Sequence, residues 1–258
     1  SGMDDDELAL AALRRLVKSG SSFAAVAIEK AVGSPSVRRQ QAGWKLAAEV
    51  KDDAVVSLIG ERMNVLLESK GAGPAAIELI ATARKRDEPV IQKVVGEFDA
   101  MIAASEDPLA VHYPSLEGGD FGRGKKLFRS HPGGQCMRCH VADGGHGAAL
   151  AGPDLAGVAK RGDRKFLLES LVQPAAKVAA GYGIVSVELK DGTTLGGTLR
   201  EEGGDRVVID VAGELRTVQR DEIQSMTEPV SAMPPMGALL NPEELRDLVA
   251  WLASLSEE

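Results

Sequence analysis

The chain has 258 residues, long for one domain and comfortable for two, and its 44% hydrophobic content can build a sizeable core without disulfide staples. Thirty Lys and Arg against 38 Asp and Glu leave a formal charge of −8, which argues against nucleic acid as a partner. Aromatics are only 3% while Ala and aliphatic residues abound, so helices packed by small side chains fit the composition better than a large sandwich.

Ser1-Gly2 ahead of Met3 reads as a cloning remnant, and no run of 18 or more apolar residues occurs; an export signal or anchor is expected to have been removed. From Asp4 to about Glu106 the pattern repeats as apolar helix, short polar or Gly/Pro break, apolar helix, without strand alternation. Three helical hairpins are expected at about 4–32, 34–70 and 73–106. Their breaks fall at Ser19-Gly20-Ser21, Gly33-Ser34-Pro35, Lys51-Asp52-Asp53 and Gly71-Ala72-Gly73-Pro74. Hairpins recurring about every 35 residues, with Ala-rich faces such as Ala24, Ala27 and Ala31, resemble a HEAT-like α-solenoid; a plain helical bundle is the alternative.

His112-Tyr113-Pro114-Ser115-Leu116-Glu117-Gly118-Gly119 reads as a linker, which sets the expected domains at 1–115 and 116–258. Asp120 is a plausible N-cap for a helix through Arg129, with Gly124 and Phe128 four residues apart on one face. Between about 183 and 226 the period changes to two: Ile184, Ser186 and Glu188 oppose Val185, Val187 and Leu189, and Lys190-Asp191-Gly192 makes a turn. A small inserted β meander or SH3-like barrel follows. Helix resumes with Asn241 as cap, Pro242 in the first turn and an apolar stripe of Leu245, Leu248, Val249 and Leu252. The expected fold class is mainly α: an N-terminal α-helical HEAT-like repeat domain plus a helical domain carrying the β insert.

The chemistry centres on Cys136-Met137-Arg138-Cys139-His140, which holds both cysteines of the chain and one of its four histidines. Two thiols three residues apart can add across the two vinyl groups of one haem while the adjacent imidazole is presented to the iron. One covalently attached haem c is therefore the expected cofactor. The alternatives are a zinc site completed by His131 or His146, which lacks a second paired knuckle, and a redox dithiol, which lacks a surrounding βαβ unit.

Several further segments point the same way: Gly124-Lys125-Lys126-Leu127-Phe128, His131 to Cys136, Gly152-Pro153-Asp154-Leu155, Phe166 to Ser170, Pro174-Ala175-Ala176-Lys177 and Ser231-Ala232-Met233-Pro234. Together with the Cys-x-x-Cys-His motif they resemble the haem-binding domain common in Planctomycetes and Verrucomicrobia, a class I cytochrome c-like family, over roughly residues 118–255. The resemblance implies that the Pro153 carbonyl receives the His140 imidazole N–H and that Met233, ahead of the capped terminal helix, is the sixth ligand. Met236, Met226, His131 and His146 are the other candidates. It also implies that Phe128, Leu155 and Trp251 line the haem, with Gly124 and Phe128 meeting Leu248 and Trp251 where the first and last cytochrome helices cross.

The implied activity is one-electron transfer by a cytochrome module rather than substrate chemistry. The expected partner is a redox protein or a tethered dehydrogenase module, in a periplasmic or otherwise exported chain whose membrane association would lie in parts absent here. A haem peroxidase or gas-binding sensor with an open sixth site, and a docking module with structural haem, are the rival readings.

Overall fold

The computed structural model describes residues 2–142 and 151–256. By packing the chain forms two compact units, one of residues 1–124 with 242–251 and one of 125–241 with 252–258. In the first unit the three expected hairpins are present: α1 (Gly2–Lys18) with α2 (Ala24–Val32), α3 (Val37–Ala47) with α4 (Asp53–Glu68), and α5 (Ala76–Ala83) with α6 (Pro89–Ala103). α3 packs on both α1 and α5, and α4 on both α2 and α6, so the hairpins stack as two rows of helices. Ile28, Trp44, Ile59, Met63, Ile91 and Phe98 fill the space between them.

Local chemistry sets the boundaries of these helices. Gly20 takes a left-handed φ of +64° just beyond α1. The Ser36 and Asp52 side chains accept from the Arg39 and Ala54 amides at 3.3 and 2.8 Å, capping α3 and α4. At the other end of α3, buried Arg86 donates to the carbonyls of Ala47 and Val50 at 3.3 and 2.7 Å, meeting acceptors that a helix C-terminus leaves without partners.

The expected linker is packed structure, and the boundary at 115/116 is corrected accordingly. Residues 110–115 form a 3₁₀ helix, and α7 (Phe121–Ser130) starts after Asp120, whose carboxylate accepts from the Arg123 amide at 2.7 Å as the cap assignment expected. A Cβ at Gly118 would lie 1.9 Å from the Pro74 carbonyl oxygen. One at Gly119 would lie 2.2 Å from that of Arg246, and one at Gly124 2.0 Å from that of Asp247. Glycines that resemble a flexible hinge in sequence are here the points where backbone meets backbone. The partner at two of them is the terminal helix, α9 (Pro242–Leu252), which belongs with the helical hairpins by packing. Leu245, Leu248 and Val249 are buried as the stripe predicts, but Arg246 and Asp247 are buried too.

The second unit holds the rest of α7, the helix α8 (Arg164–Val172) and an antiparallel six-stranded sheet. Its strands are β1 (Gly183–Leu189), β2 (Thr194–Glu202), β3 (Arg206–Val211), β4 (Glu214–Gln219), β5 (Ile223–Met226) and β6 (Val230–Ser231). The order is β4-β3-β2-β1-β5, with β6 also pairing with β1. Val185 and Val187 face the core with Leu199, Val207, Ile209 and Val218, and Ile184, Ser186 and Glu188 face outward, the alternation read from the sequence. A helical domain plus a small sheet is therefore correct, whereas mixed α and β describes the chain better than mainly α. Two short closing strands, Ile223–Met226 and Val230–Ser231, follow the four longer ones.

Candidate functional site

α7 leads directly into the cysteine motif. After it the chain folds back on itself: the amides of Gly134 and Gln135 donate to the Nδ1 and the carbonyl oxygen of His131 at 2.9 and 3.1 Å. Gln135 then turns left-handed with φ +43°. Residues Cys136–Arg138 form one 3₁₀ turn in which the Cys136 carbonyl accepts from both the Cys139 and His140 amides, at 3.1 and 2.9 Å. Cys139 caps this turn, three residues after Cys136. Both are free thiols, Cys136 half-buried and Cys139 exposed, and burial pushes the Cys136 thiol above its ordinary pKa.

The His140 ring is held from behind. Its Nδ1 lies 2.9 Å from the Pro153 carbonyl oxygen. A carbonyl can only accept, so the proton of the neutral ring sits on Nδ1 and the lone pair on Nε2, the form that binds metal. Two backbone bonds clasp the supporting segment in place: Gly152 N–H to Cys139 O and Leu155 N–H to Val141 O, each 2.9 Å. Gly152 is required by proximity. A Cβ there would lie 2.5 Å from His140 Cε1 and 2.8 Å from Nδ1. The sequence marks Pro153 as the acceptor but gives Gly152 no role; the adjacent Gly-Pro pair was the available signal.

The other expected residues are distributed as follows. Phe128 is buried in α7 and Leu155 is half-buried in the clasp. Trp251 is buried in α9 and belongs to the first unit, where its Cβ would lie 2.7 Å from a Cβ at Gly124. Among the methionines, Met236 is buried in a 3₁₀ turn (Met236–Ala238) that packs on α8, and Met226 ends β5 against the sheet core. Met233 is half-buried on the loop between them, outside any helix or strand, its amide on Ser231 Oγ at 3.1 Å. His131 Nδ1 is taken by the loop amide, and His146 lies outside the described residues.

Among the described residues no group of three or more His, Cys, Asp and Glu side chains gathers closely enough to hold a metal ion. A tetrahedral zinc site needs such convergence. A covalently attached haem does not, because its thioethers form at the edge of the macrocycle and the imidazole meets the iron at its centre. The two free thiols and a His140 ring held through Nδ1, which leaves Nε2 open, are a donor set that a covalently attached haem can use. No family model matches the chain, and comparison with curated proteins finds no match.

Proposed function

We propose that this chain is a c-type haem protein that transfers single electrons, with His140 and Met233 as the iron ligands. The observation that carries the reading is the Nδ1 to Pro153 hydrogen bond, which prepares Nε2 of the motif histidine for iron beside the two free cysteines of the motif. Cys136 and Cys139 would hold the haem through two thioethers, each thiol adding sulfur and hydrogen across a vinyl double bond without an oxidant. The bound haem supplies a ferric/ferrous couple. Pro153 and Gly152 fix the imidazole plane, and a Met233 thioether ligand raises the potential relative to a second histidine. Met236 is buried and Met226 packs partly buried against the sheet core, whereas Met233 lies on a loop outside any helix or strand, which favours Met233.

Attachment of this kind takes place outside the bacterial cytoplasm, so the chain is placed in the periplasm or otherwise outside the cell. No helix among the described residues is long and apolar enough to cross a membrane. The stacked hairpins are read as HEAT-like repeats, and electrons are exchanged with a separate or tethered dehydrogenase-type module.

The test is holoprotein made with the cytochrome c maturation machinery. Ferric protein should show a low-spin spectrum with the weak near-infrared Met-to-iron band, and ferrous protein should bind carbon monoxide slowly. Met233→Ala should abolish that band and lower the potential. Rapid, complete carbon monoxide binding by the unsubstituted protein would instead identify an open sixth site and a ligand-binding or peroxidatic centre.

Charge bears on the partner. Residues 125–182, which carry the cysteine motif, hold nine Lys and Arg against four Asp and Glu, whereas the chain as a whole is acidic. Electron exchange with an anionic mediator should outpace that with a cationic one at low salt, and the difference should shrink once the Debye length falls to about 8 Å near 0.15 M. Equal rates at every ionic strength would remove the preference for an acidic partner.

A further inference from the structure

The two edges of the sheet are built differently. On one side β5 and β6 hold only four and two residues, and the pairing of β1 with β5 shifts register between Glu188 and Leu189, features that discourage a further strand. On the other side β4 ends the strand order, so among the described residues no strand pairs with it beyond β3. It runs six residues without proline and keeps an unbroken register with β3, from Arg206 opposite Gln219 to Val211 opposite Glu214. Leu215 within it is 67% exposed. An open, regular strand of this kind is a template for another strand.

The hairpin turn fixes which backbone groups are free. Ala212 and Gly213, at φ +54° and +93°, form a two-residue turn whose flanking residues, Val211 and Glu214, make a hydrogen-bonded pair. By alternation Arg216 and Val218 also bond to β3, while Leu215 and Thr217 turn their N–H and C=O groups outward. Gln219 does not extend that row, because its amide donates to Glu222 Oε2 at 3.1 Å.

The side chains then select the occupant. Glu214 and Arg216 lie on one face of β4, joined at 2.9 Å, and both are largely exposed. A second β4 running antiparallel, with the two Leu215 residues opposite each other, brings Glu214 of each copy opposite Arg216 of the other, so that acid and base alternate around four side chains. Centring the pair on either neighbouring residue instead sets Glu214 against Glu214 or Arg216 against Arg216, and like charges directly opposite are destabilising. One register fits, and a strand that is its own complement meets the requirement of a two-fold contact.

We propose that two copies of this chain associate through β4, pairing antiparallel about Leu215 so that their two sheets become one. The Leu215 N–H of each copy donates to the Leu215 carbonyl of the other, and the four charges lock the register. The strand is short and the contact lies at the low end of interface sizes, so the dimer is weak and forms at high protein concentration. No haem takes part in this contact.

Sedimentation equilibrium of the full chain over a concentration series tests it, with thermal melting as the check on folding. The native chain should rise from the mass of one chain toward that of two, and less so in high salt. Glu214→Arg and Arg216→Glu should each weaken association roughly tenfold or more, since each sets like charges opposite one another. An equimolar mixture of these two variants should associate as well as the native chain, because the arginines of one face the glutamates of the other. Leu215→Pro removes an outward N–H, a change an edge strand tolerates, and should leave a folded monomer. A native chain that stays monomeric at every concentration overturns the proposal, and so does a dimer that none of these variants weakens, which would belong to another face. A mixture no better than its components overturns the register and with it the pairing about Leu215.

Discussion

Arg246→Ala should destabilise the protein by about 3–5 kcal/mol, read as a lowered urea midpoint with an unchanged slope. The cost does not come from the lost attraction alone. Removing the guanidinium strands its bonded partner, the Glu78 carboxylate, in a site with no measurable side-chain exposure, where an unpaired charge is far more expensive than in water. Lys45, whose Nζ is 3.7 Å from Glu78 Oε1, offers partial compensation, but it is 61% exposed and reaches the carboxylate only from outside. The loss should therefore fall toward the lower end of the range. Glu78→Leu/Arg246→Met, which removes both charges and keeps the volume, should restore most of the stability. A single variant as stable as the native protein would show that water reaches the pair.

Gly152→Val should have the largest effect on the proposed haem site. The added side chain starts 2.5 Å from His140 Cε1, 2.8 Å from Nδ1 and 3.0 Å from Nε2, flat against the ring. Either the imidazole tilts away from the Pro153 carbonyl or the backbone clasp to Cys139 and Val141 opens. In both cases the orientation of Nε2 is lost, and disturbing an outer-shell partner of a metal-bound histidine typically costs 10–100-fold. The expected product carries its thioethers but shows high-spin or mixed-spin iron by electron paramagnetic resonance, with a lower yield of mature protein. Pro153→Ala is the informative contrast. The acceptor is a backbone carbonyl that Ala also possesses, so the low-spin signal should survive. A normal low-spin spectrum from Gly152→Val would mean that the ring is not held where Pro153 places it.

These two sites differ in how visible they are in sequence. The His140 site is local: the Cys139 and His140 amides bond back to the Cys136 carbonyl of one 3₁₀ turn, and Pro153 is 13 positions from His140 along the chain. Spacing alone makes such a site readable. The helical hairpins are legible for the same reason, since Gly20, Ser36, Asp52 and Pro89 act within a few residues of themselves. The sheet is legible through its alternation, although its last two strands, Ile223–Met226 and Val230–Ser231, are too short for a period to declare itself.

Glu78 and Arg246 stand at the opposite extreme. Glu78 stands between Ile77 and Leu79 and Arg246 between Leu245 and Asp247, and in a helix such charged residues read as ones on the solvated side. Their separation of 168 positions leaves no local trace of the pairing. Gly118 and Gly119 mislead more actively, because paired glycines signal a linker in sequence but here permit backbone contact with Pro74 and Arg246. The same packing moves the boundary from 115 to 124 and assigns Pro242–Trp251 to the helical unit, where the sequence reading kept it with the cysteine motif.

What the sequence by itself determined is the local scaffold, three helical hairpins and an alternating β segment, and the close spacing of two thiols and an imidazole on which the haem proposal rests. Each depends on contacts between residues close along the chain, and these are encoded in spacing and residue type. Only the tertiary structure decided that the terminal helix is seated against α5 by a buried ion pair, that the linker glycines are contact points, and that Gly152 lies against the His140 ring. Those depend on which distant surfaces meet, and a charge or a glycine acquires its role only when its partner arrives.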